Sequence, residues 1–289
     1  IADAQPVLDT AYLFATQSAQ YIGFTDAQSD LPGLSDWIEQ LIAESTGKNS
    51  VGRLPIVTES ATNAATGGVF TVSYAGTETD LVVAGALGAH FIFWEWVTAL
   101  LGVALQIDPF NQPNVTEAKE QTSSCLAEWK DQLPELKPKQ VDSGVEIFGD
   151  GQSLTDALAT FIEDVKEGGY IAIMAYLDRK DDAPIAELRA ILADKSGRPV
   201  TFGWGPRFLH TTGQFDKGGQ QNGVFLQITG DVKKDIAIPG QSYGFKTLVA
   251  AQALGDGKAL ASRKYPLLRF NLTNRSVGIS ELLDAVKSL

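Results

Sequence analysis

Glu44-Ser45-Thr46-Gly47-Lys48, the triplet Phe110-Asn111-Gln112, Lys119 and His210 place a carboxylate, an amide, ammonium groups and an imidazole on short segments marked by glycine. Those groups suffice to open a sugar ring and to move a proton between adjacent carbons. A carboxylate can take a proton from one carbon and return it to its neighbour through an enediol. A neutral imidazole near pH 7 can relay the ring-hydroxyl proton.

Each residue also has a plainer reading. Glu44 falls at the carboxyl end of a predicted helix, where the macrodipole and partial burial raise its proton affinity. Alone, it reads as a solvated helix-terminal glutamate. Gln112 sits at the mouth of a helix opened by Pro113, and Lys119 lies two turns inside, so both can face one ligand beside the positive helix end. On spacing alone, Lys119 reads as a surface lysine paired with Glu117 or Glu120. His210 lies in a loop carrying Gly203, Gly205, Gly213, Gly218 and Gly219; Arg207, Thr211, Thr212 and Lys217 beside it either bind sugar hydroxyls or shape the loop. His90, in an apolar run, reads as a core histidine.

The elements that must position these groups follow from periodicity. Residues 8–24 carry apolar positions at helical spacing, and a second helix is predicted over 35–45, with Trp37, Ile38, Leu41 and Ile42 on one face. Ser35 or Asp36 is expected to cap its start and Gly47 to end it. Short β-rich runs follow at 54–58 and 69–74. The apolar stretch 81–105 is long enough to span a bilayer, but His90 and Glu95 inside it favour a buried helix pair in a soluble core. A helix is expected over 113–130, then an arm interrupted by Pro134 and Pro138. From residue 154 onward helices and apolar strands alternate, which predicts a doubly wound parallel sheet flanked by helices, an α/β fold of flavodoxin-like type. Ligands of such sheets sit at the carboxyl ends of the strands. The expected organisation is one domain over 1–289, comprising a segment with the Glu44 motif (1–130), a connecting arm (131–150) and an alternating β/α segment (151–289).

Composition is that of a globular protein, 44% hydrophobic and 20% charged. A net charge of −12 argues against nucleic acid or an anionic membrane as partner. It leaves room for a phosphorylated ligand, which needs only local positive charge. The single cysteine, Cys125, reads as a small buried helix residue and excludes an internal disulfide, and a reducing cytoplasmic setting is expected. No Cys/His cluster points to metal, and no G-x-G-x-x-G or complete phosphate-binding loop supports a nucleotide; no cofactor is expected.

The ordered motifs Glu-Ser-Thr-Gly-Lys and Phe-Asn-Gln-x6-Lys resemble the signatures of glucose-6-phosphate isomerase. The run Gly205-Pro206-Arg207-Phe208-Leu209-His210-Thr211-Thr212-Gly213-Gln214, with Lys217-Gly218-Gly219, is similar to the divergent branch found in bifunctional transaldolase/phosphoglucose isomerase proteins. The resemblance implies a sugar-isomerase fold and interconversion of glucose 6-phosphate and fructose 6-phosphate. It implies Glu44 as base, His210 as the ring-opening group and Lys119 as a third catalytic group, with Gln112, Lys48, Arg207 and Thr211 binding substrate. Three departures stand out: Asn114-Val115-Thr116 replaces the usual Gly-Val-Glu, the histidine lies farther from the glutamate than in most of the family, and Asp216 stands where the divergent branch often carries histidine. The chain begins Ile1-Ala2-Asp3 and is expected to be a C-terminal piece of a longer polypeptide whose sugar-phosphate domain precedes it, poorly active alone. The family often dimerises, which extends that option to this chain. The rival expectation is a sugar-phosphate-binding module of the same fold without chemistry.

Overall fold

A computed structural model describes residues 4–16, 20–60, 68–129 and 133–289. In chain order its elements are α1 (Gln5–Thr16), β1 (Tyr21–Thr25), α2 (Leu34–Thr46), β2 (Leu54–Thr58), β3 (Phe70–Ser73), β4 (Leu81–Val82), α3 (Leu87–Ala104) and α4 (Pro113–Trp129). There follow β5 (Gln140–Asp142), β6 (Val145–Phe148), α5 (Leu154–Glu163), β7 (Tyr170–Tyr176), a 3₁₀ turn (Ala183–Glu187), α6 (Leu188–Ser196) and β8 (Val200–Trp204). A second 3₁₀ turn (Arg207–His210), α7 (Thr212–Gly218), β9 (Gly223–Gly230), α8 (Phe245–Ser262), β10 (Leu267–Leu272) and α9 (Arg275–Lys287) complete the chain.

Where the sequence reading expects one domain, the backbone separates into two compact units, each with its own sheet. The first comprises Ile1–Asn114 and His210–Gln221, the second Val115–Leu209 and Asn222–Leu289.

The first unit holds four parallel strands in the order β2-β1-β3-β4. The helix expected over 8–24 ends at Thr16, and Tyr21–Thr25 is a fully buried strand. Its unbroken apolar run fits a strand covered on both faces as well as it fits a buried helix, and spacing cannot separate the two. Phe14, Phe24 and Trp94 form the aromatic centre of this core, Phe14 stacked on Trp94 at 6.2 Å and Phe24 edge-on to it at 5.5 Å. Buried Arg53 donates from Nε to the Phe14 carbonyl (2.6 Å) and from Nη2 to the Ala15 carbonyl (2.7 Å). These are orphan acceptors of the α1 carboxyl end, where positive charge is favourable.

The apolar stretch folds as the two-residue strand β4 and one helix, α3, in place of the expected buried helix pair. His90, Trp94, Val97, Thr98 and Leu101 make its buried stripe at helical spacing. Leu87, Ile92, Trp96 and Val103 lie exposed on the rest of its surface, so one face alone faces the core. The helix is long and apolar enough to cross a membrane by length and composition, with 33% of it buried. His90 is buried edge-on against Tyr74 (5.3 Å), in the core as expected, but neither ring nitrogen has a hydrogen-bond partner of ordinary geometry among the described residues. Burial lowers its pKa, with the Gly85 backbone pulling the other way.

In the second unit six strands run β5-β6-β10-β9-β7-β8, parallel from β10 to β8, with β6 antiparallel to β10 and β5 antiparallel to β6. The β5–β6 hairpin occupies what the sequence suggests is a featureless arm. Side chains from α5, α6 and α9 bury one face of the sheet in a single core. On the helix pair α4 and α8, Cys125 packs with Trp129 and Ala251 in a smaller cluster, buried as expected. Chain order reverses between β7 and β9, the place where a doubly wound sheet opens a crevice at its carboxyl ends.

Candidate functional site

Helix α2 positions Glu44. Its apolar face (Leu34, Ile38, Ile42) enters the core of the first unit. Its start is held from outside: the Asp26 carboxylate accepts from the N–H groups of Gly33 (2.5 Å) and Ser35 (2.9 Å). Neither Ser35 nor Asp36 is the cap. The helix stops at Gly47, whose N–H still donates to the Ala43 carbonyl at 3.0 Å. Glycine is required there by contact, because a Cβ would strike the backbone and Cβ of Phe215 on α7.

The α7 segment closes over the α2 end. The buried Gln214 amide donates to the Gly47 carbonyl (2.8 Å) and to Asn114 Oδ1 (2.8 Å), and its Oε1 accepts the Asn114 N–H (3.1 Å). Ser50 N–H donates to the Gly218 carbonyl at 2.9 Å. Three separated stretches of chain are thus tied by one amide that satisfies backbone groups otherwise costly to bury. The sequence motif includes Gln214, but its three-way role depends on contacts about 100 and 167 residues away, which spacing does not reveal.

Glu44 is half-buried, and Gln40 Nε2 donates to its Oε2 at 3.4 Å. Burial pushes its pKa above the ordinary value of 4.5, while the Gln40 hydrogen bond and the charges of His210 and Lys48 oppose that rise. Burial likewise lowers the pKa of Lys48, against the attraction of Asp108 and Glu44. Lys48 is only 3% exposed, and its Nζ donates to the Asp108 carbonyl at 2.7 Å. His210 is exposed at the end of its 3₁₀ turn. The first unit therefore gathers Glu44, Lys48 and His210 within electrostatic reach. A carboxylate so placed can accept a proton at higher pH than free glutamate, beside groups that favour its ionised form.

The remaining expected site residues lie on other elements. Gln112 is exposed on the loop before α4, next to Phe110, which is 85% exposed. That loop is shaped by Asp108, which accepts from the Phe110 N–H (2.9 Å) and from Asn111 Nδ2 (3.0 Å). Thr211 is wholly buried at the start of α7, a place from which it shapes the loop. Lys119 is exposed on α4 and Arg207 half-buried in its 3₁₀ turn, both in the second unit. Glu117, one of the partners that spacing offers Lys119, pairs with Arg263, whose Nη1 donates to Oε1 at 2.7 Å. Among the described residues no three His, Cys, Asp or Glu side chains gather as a metal centre.

No protein-family model matches the sequence, and no curated protein does. Solved structures give low-identity likenesses. A hypothetical protein from Thermus thermophilus is 10% identical with a TM-score of 0.41, over 98% of this chain and 79% of that one. A candidate phosphosugar isomerase from Clostridium difficile is 13% identical with a TM-score of 0.22, over 90% of each chain. A candidate sugar-binding protein from Salmonella typhimurium is 10% identical with a TM-score of 0.20, over 90% of this chain and 93% of that one. At such TM-scores none of the three carries an activity to this chain; its fold stands on its own two sheets.

Proposed function

We propose that the chain is an aldose–ketose isomerase acting on a sugar phosphate, with glucose 6-phosphate and fructose 6-phosphate as the pair implied by its sequence motifs. The observation that carries the reading is Glu44, a half-buried carboxylate of raised pKa facing the charges of Lys48 and His210. In this reading His210 relays the hydroxyl proton that opens the ring. Glu44 takes the proton from C2 of the aldose and returns it to C1, and the proton gained by O1 is matched by the one lost from O2. Nothing is oxidised or consumed overall, so the acid–base groups suffice. Lys48 keeps Glu44 ionised enough to act, and Gln112 meets the ligand from its exposed loop. The proposal does not draw on Lys119 or Arg207.

A coupled assay running fructose 6-phosphate to glucose 6-phosphate, on the 289-residue chain and its Glu44→Gln variant, tests it. Turnover that collapses in the variant supports the reaction and the base together. Saturable sugar-phosphate binding without turnover, equal in both proteins, would replace the reading with that of a binding module.

A further inference from the structure

The second unit contains a cavity of about 510 Å³ at the carboxyl ends of β7 and β9, where chain order reverses. Its floor is a departure from the usual pattern of a doubly wound sheet. Leu226 and Ile228 on β9, and Leu268, Phe270 and Leu272 on β10, go into the main core. Period-two alternation therefore sends Gln227, Thr229, Arg269 and Asn271 to the opposite face, beneath α8. A sheet covered by helices should be apolar there as well.

Strand register sorts these side chains into two rows. In one, Asn271 stands between Glu146 and Thr229. It donates to Glu146 Oε2 (2.8 Å) and Asp231 Oδ1 (3.1 Å) and accepts from Thr229 Oγ1 (3.0 Å), so the row is closed within itself. In the other, Arg269 stands between Phe148 and Gln227. Its guanidinium lies 5.2 Å from the Phe148 ring centroid, and Nε donates to Gln227 Oε1 at 3.0 Å. Gln227 is itself held by the Ala253 carbonyl at 2.9 Å. Both Nη groups of Arg269 are without a hydrogen-bond partner among the described residues, and no carboxylate there pairs with it.

The wall also carries the cations Lys234, Lys246 and Arg275 and the carboxylates Glu146, Asp178, Asp231 and Asp235, several of them engaged within the protein. Asp178 accepts from the N–H groups of Lys180 and Asp181, Asp235 from those of Ile236 and Lys246, and Arg275 pairs with Asp182 at 3.0 Å. Burial alone lowers the Arg269 pKa, with no anion acting to raise it. Arg269 is half-buried, and a cation taken partly out of water gains from an anionic partner. The Tyr176 hydroxyl, on another residue of the wall, is also buried without a partner among the described residues.

We propose that this cleft binds an organic monoanion, a carboxylate on an apolar body, with the two Nη groups of Arg269 taking the carboxylate oxygens. The end-on geometry of two parallel N–H donors suits a carboxylate. Phe148, Val249 and Leu254 supply apolar wall for the body. Four carboxylates (Glu146, Asp178, Asp231, Asp235) balance the four cations of the wall (Lys234, Lys246, Arg269, Arg275), so the cavity as a whole has no positive excess to draw a multiply charged anion. The site is built from second-unit residues alone and does not depend on the isomerase reading.

Calorimetric titration of the full chain with octanoate and with octan-1-ol tests the proposal. The expected result is octanoate binding at least tenfold tighter than the alcohol, with inorganic phosphate failing to compete. In Arg269→Met the preference should vanish while the alcohol binds as before. Equal binding of acid and alcohol to the wild-type chain, displacement of octanoate by phosphate, or an undiminished preference in a folded Arg269→Met variant would each overturn it. The wild-type comparison decides the matter even should that variant fail to fold.

Discussion

The two units treat buried charge in opposite ways. In the first, Arg53 gives its N–H groups to three backbone carbonyls, and Glu44 lies within electrostatic reach of Lys48 and His210. In the second, half-buried Arg269 has one hydrogen bond and an aromatic face and no carboxylate partner among the described residues. Desolvation is unfavourable in all three places; what differs is whether the protein itself supplies the counterweight. A charge balanced from within serves folding or tunes a reactive group. One left unbalanced at a strand-end crevice is set to meet a ligand.

The largest test of that contrast lies at Glu44. Glu44→Gln keeps the shape and removes the base, so kcat in the isomerase assay should fall by roughly 10²- to 10⁴-fold, with KM changed far less. A variant retaining wild-type kcat would remove Glu44 from the chemistry. Next come the two arginines. Arg53→Met strands buried carbonyls and should cost about 3 kcal/mol in denaturant unfolding, whereas Arg269→Met should stay within about 1 kcal/mol of wild type. Similar losses at both would erase the distinction between them.

The smallest effects are in pH dependence. Activity that needs ionised Glu44 declines as pH falls through its raised pKa, so the acid limb of the rate profile lies above 4.5. Lys48→Met removes a charge that holds that pKa down and should move the limb higher. Stability gives the same sign independently. Between the unfolded value near 4.5 and the raised folded value, the native state holds more protons, so stability falls as pH rises through that window. Glu44→Gln cannot ionise; in paired melts it should be the more stable protein at pH 7, with the difference gone below pH 4.5.

The alternating elements from Leu154 onward are legible in the sequence because apolar strands and amphipathic helices have different periods. Glu44 at the end of its helix is legible from the periodicity of α2 and the glycine that stops it. Other features depend on distant partners. Asp26 caps α2 through space, a role that no residue next to the helix reveals. Tyr21–Thr25 reads as helix because a strand buried on both faces loses its alternation. Arg269 is hidden for a related reason: Leu267-Leu268-Arg269-Phe270-Asn271-Leu272 alternates, but only register shows that Phe148 and Gln227 flank the arginine.

The excursion of His210–Gln221 into the first unit has a consequence for modularity. The polypeptide changes unit after residues 114, 209 and 221, so no single cut yields two intact halves. A product ending at Asn114 would lack the Phe215 that rests on Gly47 and the amide that holds the Gly47 carbonyl. Either unit can be transplanted or inherited as a cassette only when the twelve-residue patch travels with the first, and a gene rearranged to join residue 114 directly to residue 210 would be the shortest route to a freestanding one.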